Sequence, residues 1–306
     1  MRKIFGILGA TAVGKSDIAY EIAQRLDCPL ISADSMQIYK KFDIGTAKPS
    51  IEEQQKVKYY GIDIVDASLE FNSYKYVKYL EDEVLNIINN ADDIPLIVGG
   101  TGLYFDSLLH PLDFRTDEFT FATRLEMTDL FNNKGIEPLK DILRKYNSDI
   151  DNKIDWNNTK RVIRAIEIYR SGGEPYANTL SCKSDKYENV LIVLERDRAE
   201  LYKRIDNRVD KMLKEELVEE VVYLRTIYKD DCQAFSAIGY REVVAYLNMQ
   251  YDYNTMVEKI KQDTRNYAKR QITYFKRFKN AIHIEMDDTN SKDVIERCIR
   301  AYNIHK

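Results

Sequence analysis

The sequence predicts an α/β fold with a three-layer core around a parallel sheet and an all-helical insertion domain. Short apolar runs that end in glycine or aspartate alternate with segments of helical periodicity, which is typical of strands that pair in parallel through right-handed crossovers. The middle of the chain instead shows successive helical patterns without a convincing strand. We therefore expect the first part of the core at 1–116, the insertion at 117–186, and core completion with C-terminal helices at 187–306.

The core elements follow one another along the chain, each indicated by its apolar pattern. Strands are predicted at 3–8, 29–33, 94–98, 189–195 and 281–284. Helices are predicted at 15–26, at 73–89, from about 101, between 196 and 278, and from 291. In the insertion, helices are predicted at 119–132, 138–146 and 156–170, and the region closes in the turn sequence SGGEP.

Composition excludes several classes of protein. The chain has 306 residues and a net charge of −4, and its four cysteines show neither zinc-ligand spacing nor a disulfide framework. The N-terminal apolar stretch has only the length of a strand and leads straight into a loop motif, unlike a signal peptide or a membrane span. We expect a cytoplasmic, monomeric protein without a membrane partner.

A glycine loop follows the first predicted strand and opens the first predicted helix. It matches the pattern GxxxxGK[ST] through Gly9, Ala10, Thr11, Ala12, Val13, Gly14, Lys15 and Ser16. In such a loop, backbone N–H groups and the helix N-terminus attract phosphate oxygens, the lysine pairs with a terminal phosphate, and the serine hydroxyl ligates Mg²⁺. The alternative is a plain strand-to-helix turn. We predict a P-loop core that binds a diphosphate or polyphosphate together with Mg²⁺.

Two strand ends bear on the chemistry. The strand at 94–98 ends in Gly99-Gly100-Thr101-Gly102 without the carboxylate that an ordinary P-loop ATPase presents there, so ATP hydrolysis is not favoured. Asp34 ends the second strand and should lie at the same carboxyl edge of the sheet as the loop. It is a candidate general base, and the alternative is a residue that caps a turn.

One segment is basic in an otherwise acidic chain. Residues 264–280 include six cations and no acid, with aromatic residues interleaved: Arg265, Lys269, Arg270, Lys276, Arg277 and Lys279. Such a segment favours contact with nucleic acid, whereas a solvated helix face is the alternative.

Several motifs together resemble those of bacterial tRNA dimethylallyltransferases. In order and spacing they are GATAVGKS, DSMQIYKKFDIGTAKP, IPLIVGGTGLYFDSLL, TKRVIRAIEIYRSG, RDRAELYKRIDNRVDKM, AIGYREVVAYL and TRNYAKRQITYFKRF. The resemblance spans nearly the whole chain, and its second and last blocks are far more specific than the phosphate loop.

The resemblance implies a reaction. Members of that family transfer a dimethylallyl group from its diphosphate to the exocyclic amine of the adenosine on the 3′ side of the anticodon, and Mg²⁺ assists the leaving group. By this likeness Asp34 is the base, Thr101 lies near the reacting centre, and Lys15 and Arg208 hold the diphosphate with the loop. Ser35, Met36 and Gln37 would line the pocket for the base.

The resemblance also implies a tRNA surface. Besides Asp34, Thr101 and the base pocket, its candidates are Lys160, Arg161, Arg164, Gly239, Tyr240, Arg241, Lys269, Arg270 and Gln271. The chain departs from the family pattern where Tyr59-Tyr60 replaces a His-His pair, where Ala122 replaces an arginine, and where Glu215 or Glu216 replaces a glycine.

Three other functions are compatible with parts of the sequence. A P-loop nucleotide kinase would bind ATP in the same loop and transfer its γ-phosphate. An adenylate isopentenyltransferase would use free AMP or ATP as the acceptor, although the insertion and the basic segment favour RNA. A non-catalytic RNA-binding protein would not need Lys15, Ser16 and Asp34 intact.

Overall fold

The computed structural model describes residues 2–90, 94–110, 118–173, 175 and 187–306. The chain forms two compact units, residues 1–109 with 184–306 and residues 110–183. The boundaries predicted for the insertion, at 117 and 186, lie outside the described residues.

A parallel sheet organises the larger unit. Its six strands, counted over the described residues, are β1 (Arg2–Gly9), β2 (Leu30–Ser32), β3 (Tyr59–Tyr60), β4 (Leu96–Gly99), β5 (Tyr187–Arg196) and β6 (Ile282–Met286). They lie in the order β3-β2-β4-β1-β5-β6, and every pair is parallel. The predicted α/β class with a parallel sheet is confirmed. The two-residue strand β3 was not predicted, because so short a run of tyrosines carries no strand periodicity.

Helices connect the strands of this unit. They are α1 (Lys15–Leu26), α2 (Ile51–Lys56), α3 (Ser73–Tyr79), α4 (Leu85–Asn90), α5 (Gly102–Leu109), α9 (Arg198–Lys214), α10 (Leu217–Arg225), α11 (Tyr240–Leu247), α12 (Tyr253–Phe275) and α13 (Ser291–His305). A π-helical stretch, Leu80–Val84, joins α3 to α4, and together they cover the predicted helix at 73–89. The helix α1 has the predicted bounds.

Alternation along the strands divides the core between two faces. In β1, Phe5 and Ile7 belong to one buried cluster, whereas Ile4 and Leu8 belong to another. This period of two, with both sets buried, is characteristic of a parallel sheet covered on each face. A third cluster packs α9 to α12 around Tyr39 and Phe42 of the segment that follows β2.

The smaller unit is helical in its described part. It contains α6 (Glu118–Lys134), α7 (Glu137–Tyr146), a short 3₁₀ helix (Ile150–Asn152) and α8 (Thr159–Arg170) around its own buried cluster. The helix α8 begins three residues after the predicted start, since the side chain of Asn158 accepts a hydrogen bond from the amide of Arg161 and caps it there. Among the described residues of both units, no helix is long and apolar enough to cross a bilayer.

Candidate active site

The loop Gly9–Ser16 is held from outside by two arginines of the β5–α9 region. Arg204 donates from Nε to the carbonyl of Ala12 at 3.0 Å, and Arg196 donates from Nε to the carbonyl of Val13 at 3.3 Å. Asp288 lies 2.9 Å from Arg196 and 3.2 Å from Arg204, and so bridges both guanidinium groups. These contacts fix the backbone of the loop by its carbonyl oxygens.

The loop leads into the N-terminus of α1, where the N-cap residue provides no side-chain hydrogen bond to the first amides. Gly14 occupies the N-cap position with φ 106°, a left-handed conformation that disfavours other residues. An uncapped helix N-terminus attracts anions through its N–H groups and the helix dipole. The local backbone therefore suits an anionic group.

A cleft of about 530 Å³ lies beside this loop, at the carboxyl ends of β2 and β4. Nine residues that the sequence predicts for the site line it: Thr11, Ala12, Gly14, Lys15, Ser16, Asp34, Gln37, Arg208 and Gln271. Sequence reasoning missed other lining residues, among them Asp17, Tyr20, Lys48, Tyr59, Arg204, Asn207, Lys211 and Tyr267. The fold thus brings residues of five separate motifs together around one cavity.

One wall of the cleft is cationic. Arg204, Asn207, Arg208 and Lys211 of α9 all line it, at the i, i+3, i+4, i+7 spacing that places side chains on one face of a helix. The sequence-based prediction included only Arg208. Extending it by the helical period would have found the other residues of the wall.

The cations of this wall affect the lysine of the loop. Lys15 is half-buried and donates from Nζ to the carbonyl of Ala10 at 3.2 Å. Burial and the charge of Arg208 lower the pKa of Lys15 to about 8, while Asp34 and Asp17 partly oppose that shift. Burial also lowers the pKa of Arg208, and Asp34 again opposes the shift. An anion in the cleft would relieve this crowding of positive charge.

Asp34 follows the end of β2 by two residues. Its Oδ1 accepts a hydrogen bond from the amide of Met36 at 2.9 Å, while the residue also lines the cavity. Asp34 therefore caps a turn and also lines the cleft, so its role as a turn cap does not exclude a role as general base. Capping by one oxygen fixes the orientation of the carboxylate.

Thr101 ties the ends of β2 and β4 together next to Asp34. Its Oγ1 accepts from the amide of Ser35 at 3.0 Å, and its own amide donates to the carbonyl of Ala33 at 3.1 Å. The strand ends approach so closely that a Cβ at Gly99 would lie 2.1 Å from the carbonyl oxygen of Ala33. Glycine at the end of β4 is thus required by packing.

Two residues of α12 complete this end of the cleft. Tyr267 lines the cleft, and burial together with the charge of Asp34 raises the pKa of Tyr267 to about 12, while the nearby Thr101 and Gln271 partly oppose that shift. Gln271 is buried, and it accepts from the amide of Thr11 and donates to the carbonyl of Gly100, both at 2.8 Å. The amide of Gln271 therefore joins the loop to the end of β4.

The segment after β2 is fixed by polar contacts of Gln37 and Lys48. Gln37 donates to the carbonyls of Thr46 and Ala47 at 3.2 and 3.1 Å and accepts from the hydroxyl of Ser32 at 2.8 Å. Lys48, whose side chain is 3% exposed, pairs with Asp43 at 2.7 Å and Asp63 at 2.6 Å. The DIGTAKP block is therefore largely a structural feature that shapes one wall of the cleft.

Tyr240 is a packing residue in this structure and is not positioned to contact RNA, contrary to the expectation from the sequence. It is buried, its hydroxyl donates to Glu220 at 2.6 Å and it accepts from the amide of Gly45 at 3.1 Å. The ring lies where a Cβ at Gly45 would be 2.4 Å away. Gly239 is buried too, and its φ of 98° turns the chain into α11.

Arg241 is exposed, unlike the buried Gly239 and Tyr240 that precede it. Its side chain is 46% exposed and lies 2.5 Å from Asp263, and it also pairs with Glu242. Its charge is therefore largely compensated within the protein.

The basic segment 264–280 contains both paired and exposed cations. Arg265 pairs with Asp206 at 2.5 Å and Arg277 with Asp106 at 3.4 Å, so acids on other elements compensate part of its charge. Lys269 and Arg270 are exposed, and each lies over a tyrosine ring. These two remain the strongest RNA candidates of α12.

In the helical unit, the predicted basic residues lie on α8. Lys160 and Arg161 are exposed. Arg164 pairs with the buried Glu167 at 2.8 Å, and Arg124 of α6 pairs with the same carboxylate at 2.7 Å. Glu167 thus orients two arginines, of which sequence reasoning proposed only Arg164 for RNA contact.

A parallel α/β fold with a cationic cleft at the carboxyl edge of its sheet defines a class of proteins that bind anionic ligands there. Residues 37–278 match the family model described as IPP transferase. The chain is 40% identical to a tRNA dimethylallyltransferase of Clostridioides difficile over 99% of this chain and 98% of that protein. It is 42% identical to one of Thermosipho africanus over 95% of each.

Solved structures agree with these matches. A tRNA isopentenylpyrophosphate transferase from Bacillus halodurans has a TM-score of 0.74 at 34% identity, with 100% of this chain and 97% of that chain covered. A eukaryotic dimethylallyltransferase acting on tRNA has a TM-score of 0.83 at 26% identity, with 99% and 79% covered. The chain belongs to the IPP transferase family, a family of transferases, which confirms the resemblance seen in its motifs.

Proposed function

We propose that this chain is a tRNA dimethylallyltransferase. It transfers the dimethylallyl group of dimethylallyl diphosphate to the N6 amine of the adenosine 3′-adjacent to the anticodon and releases diphosphate. The observation that supports this most is the cleft itself, where Asp34 faces the same cavity as the loop lysine Lys15 and the cationic wall of α9.

The loop and the wall would bind the diphosphate. Negative charge grows on the diphosphate as its bond to the allylic carbon breaks, so fixed cations stabilise the transition state more than the substrate. Lys15, Arg204, Arg208 and Lys211 are the cations of this cleft that suit this task. Ser16, exposed in the first turn of α1, fits a Mg²⁺ ion, which takes most of its ligands from phosphates and water. When bound, that ion would neutralise charge on the leaving diphosphate.

Asp34 would act on the adenine. The N6–carbon bond forms as the carbon–oxygen bond of the diphosphate breaks, and the amine loses a proton to the carboxylate. The N6 lone pair is delocalised into the ring, so positioning of the amine contributes more than basicity alone. The hydrogen bond from the amide of Met36 to Asp34, and the one from the amide of Ser35 to Thr101, hold Asp34 and Thr101 in place.

The adenosine is stacked in the anticodon loop, so it has to be extruded before it can enter the cleft. Lys269 and Arg270 on α12, and Lys160, Arg161 and Arg164 on α8, are the cations proposed to contact the anticodon stem-loop. We further propose that the protein acts as a monomer in the cytoplasm, where its tRNA substrate is found.

Labelled substrates distinguish the proposal from its rivals. Purified protein is incubated with dimethylallyl diphosphate carrying label in the prenyl group, and with unmodified tRNA, AMP or ATP as acceptors. We expect label in tRNA alone. Label in AMP or ATP would favour an adenylate isopentenyltransferase. Transfer of phosphate from γ-labelled ATP to a small acceptor, without prenylation of tRNA, would favour a kinase and contradict the proposal.

A further inference from the structure

Three adjacent residues of α12 lie in different environments. Lys269 and Arg270 are exposed, whereas Gln271 is 6% exposed. Successive residues of a helix are separated by about 100° around its axis. Residues that are consecutive in a sequence motif therefore lie on different sides of the helix. A shared role in tRNA binding for all three residues does not fit this arrangement.

The contacts of Gln271 are with the phosphate loop and the end of β4. Its Oε1 accepts from the amide of Thr11, and its Nε2 donates to the carbonyl of Gly100, each at 2.8 Å. The fit is close, because a Cβ at Gly100 would lie 2.3 Å from Nε2. One side-chain amide therefore satisfies a donor on the loop and an acceptor on the strand end at once.

We infer that Gln271 is a positioning residue of the diphosphate site. The inference rests on the proposed function, and it assigns Gln271 to diphosphate binding through the loop rather than to contact with tRNA. Gln271 holds Thr11, the third residue of the loop, from the side of α12. Arg196 and Arg204 hold the carbonyls of Val13 and Ala12 from the side of α9. A loop fixed at three points binds its ligand with a smaller loss of conformational entropy.

Removal of the amide should loosen the loop without changing the charge of the cleft. In Gln271→Ala, the amide of Thr11 and the carbonyl of Gly100 lose their partner, which weakens binding of any ligand that needs the ordered loop. We expect the Kd for inorganic diphosphate, measured with Mg²⁺ by calorimetry, to rise about tenfold. The Kd for an unmodified tRNA transcript should change less than about twofold.

Two further variants make the test specific. Gln271→Glu keeps an oxygen that accepts from Thr11, and when protonated it can also donate to Gly100, so its Kd for diphosphate relative to wild type should improve as pH falls. Arg270→Ala, the adjacent residue, should show the opposite pattern, with weaker tRNA binding and unchanged diphosphate binding. Retained tRNA affinity in Gln271→Ala also serves as the control for folding.

The possible results separate this inference from the proposed function. If wild-type protein binds diphosphate and Gln271→Ala binds it equally well, or if Gln271→Ala loses tRNA affinity as much as diphosphate affinity, the inference is wrong and the proposed function stands. If wild-type protein does not bind diphosphate, both are wrong.

Discussion

The two sides of α12 differ in what they contact. The inner side presents Tyr267, Gln271 and Tyr274, at i, i+4 and i+7, to Thr101, to the phosphate loop and to Asp106. The outer side presents the exposed cations Lys269 and Arg270. One helix thus supports the reaction centre on one side and offers charge to RNA on the other. Mutations on the two sides should therefore affect different steps.

The largest effect is expected from substitution of Asp34, the acid of the cleft near the inner side of α12. Asp34→Ala should lower the rate of prenyl transfer by about 10²- to 10⁴-fold, because it removes the group that accepts the proton and orients the amine. Binding of tRNA, measured by filter retention, should stay within a few fold, since the outer side is untouched.

Asp34→Asn is the matched variant. Asparagine keeps an oxygen that can accept from the amide of Met36 but cannot act as a base. Transfer should be lost in this variant as well. Near wild-type transfer in Asp34→Asn would show that Asp34 acts only as a turn cap.

The outer side should affect RNA affinity and its salt dependence. Lys269→Ala combined with Arg270→Ala should reduce the slope of log K for tRNA against log salt by about 1.4 to 1.8, as expected for two lost phosphate contacts. Arg265→Ala is the control, because Arg265 pairs with Asp206 and should change the slope less. An unchanged slope in the double variant would identify Lys269 and Arg270 as an ordinary solvated surface.

A change of pH should have a smaller effect, on the affinity for diphosphate. The pKa of Lys15 is lowered to about 8, so the free protein loses this charge as pH rises through 8. Diphosphate affinity should therefore decline by up to about tenfold from pH 7 to pH 9 as the lysine deprotonates. Binding near pH 8 should take up protons, since the anion favours the charged lysine.

Lys15→Arg tests the source of that pH dependence. Arginine stays charged throughout this range, so the decline should disappear. Calorimetry in buffers of different ionisation enthalpy measures the proton uptake directly. The same decline in Lys15→Arg would assign it to another group.

The smallest effect is expected from Tyr267→Phe. Its hydroxyl lies close to Thr101 and Gln271, and with a pKa of about 12 it stays protonated in the range of the assay. Removing this neutral hydroxyl beside the reaction centre should lower kcat by about threefold to tenfold, with little change in the KM for tRNA. A change confined to the KM for tRNA would instead indicate that Tyr267 contributes to tRNA binding, like the cations of the outer side.

Much of the structure of the larger unit could be predicted from local sequence patterns. The bounds of α1 agreed with its apolar period, and the phosphate loop was found where a strand meets a helix. Asp34 was predicted from its place at the end of the second strand, and the resemblance added Thr101 and Arg208. Asp34 and Arg208 line the cleft, and Thr101 accepts from the amide of Ser35 beside Asp34. Local sequence sufficed here because each motif encodes its own backbone conformation.

The rest depended on tertiary contacts that sequence does not display. Tyr240 and Gln271 lie in motifs associated with tRNA, yet burial turns both toward the protein. The pairing of Arg265 with Asp206 joins residues on different helices, so the lack of acids in the basic segment was misleading. The helical period groups Arg204 and Lys211 with Arg208 on one face of α9, but only tertiary packing decides that this face lines the cleft.

The most direct test of the proposed function compares two anticodon stem-loop RNAs. One carries adenosine next to the anticodon, and the other carries purine riboside, which lacks the exocyclic amine, at that nucleotide. Each is incubated with protein, Mg²⁺ and dimethylallyl diphosphate, and its nucleosides are analysed by mass spectrometry. We predict prenylated adenosine from the first RNA and no prenylated nucleoside from the second, although both RNAs bind. Prenylation at another nucleotide, or of the purine RNA, would contradict the assignment of the N6 amine as the acceptor in this cleft.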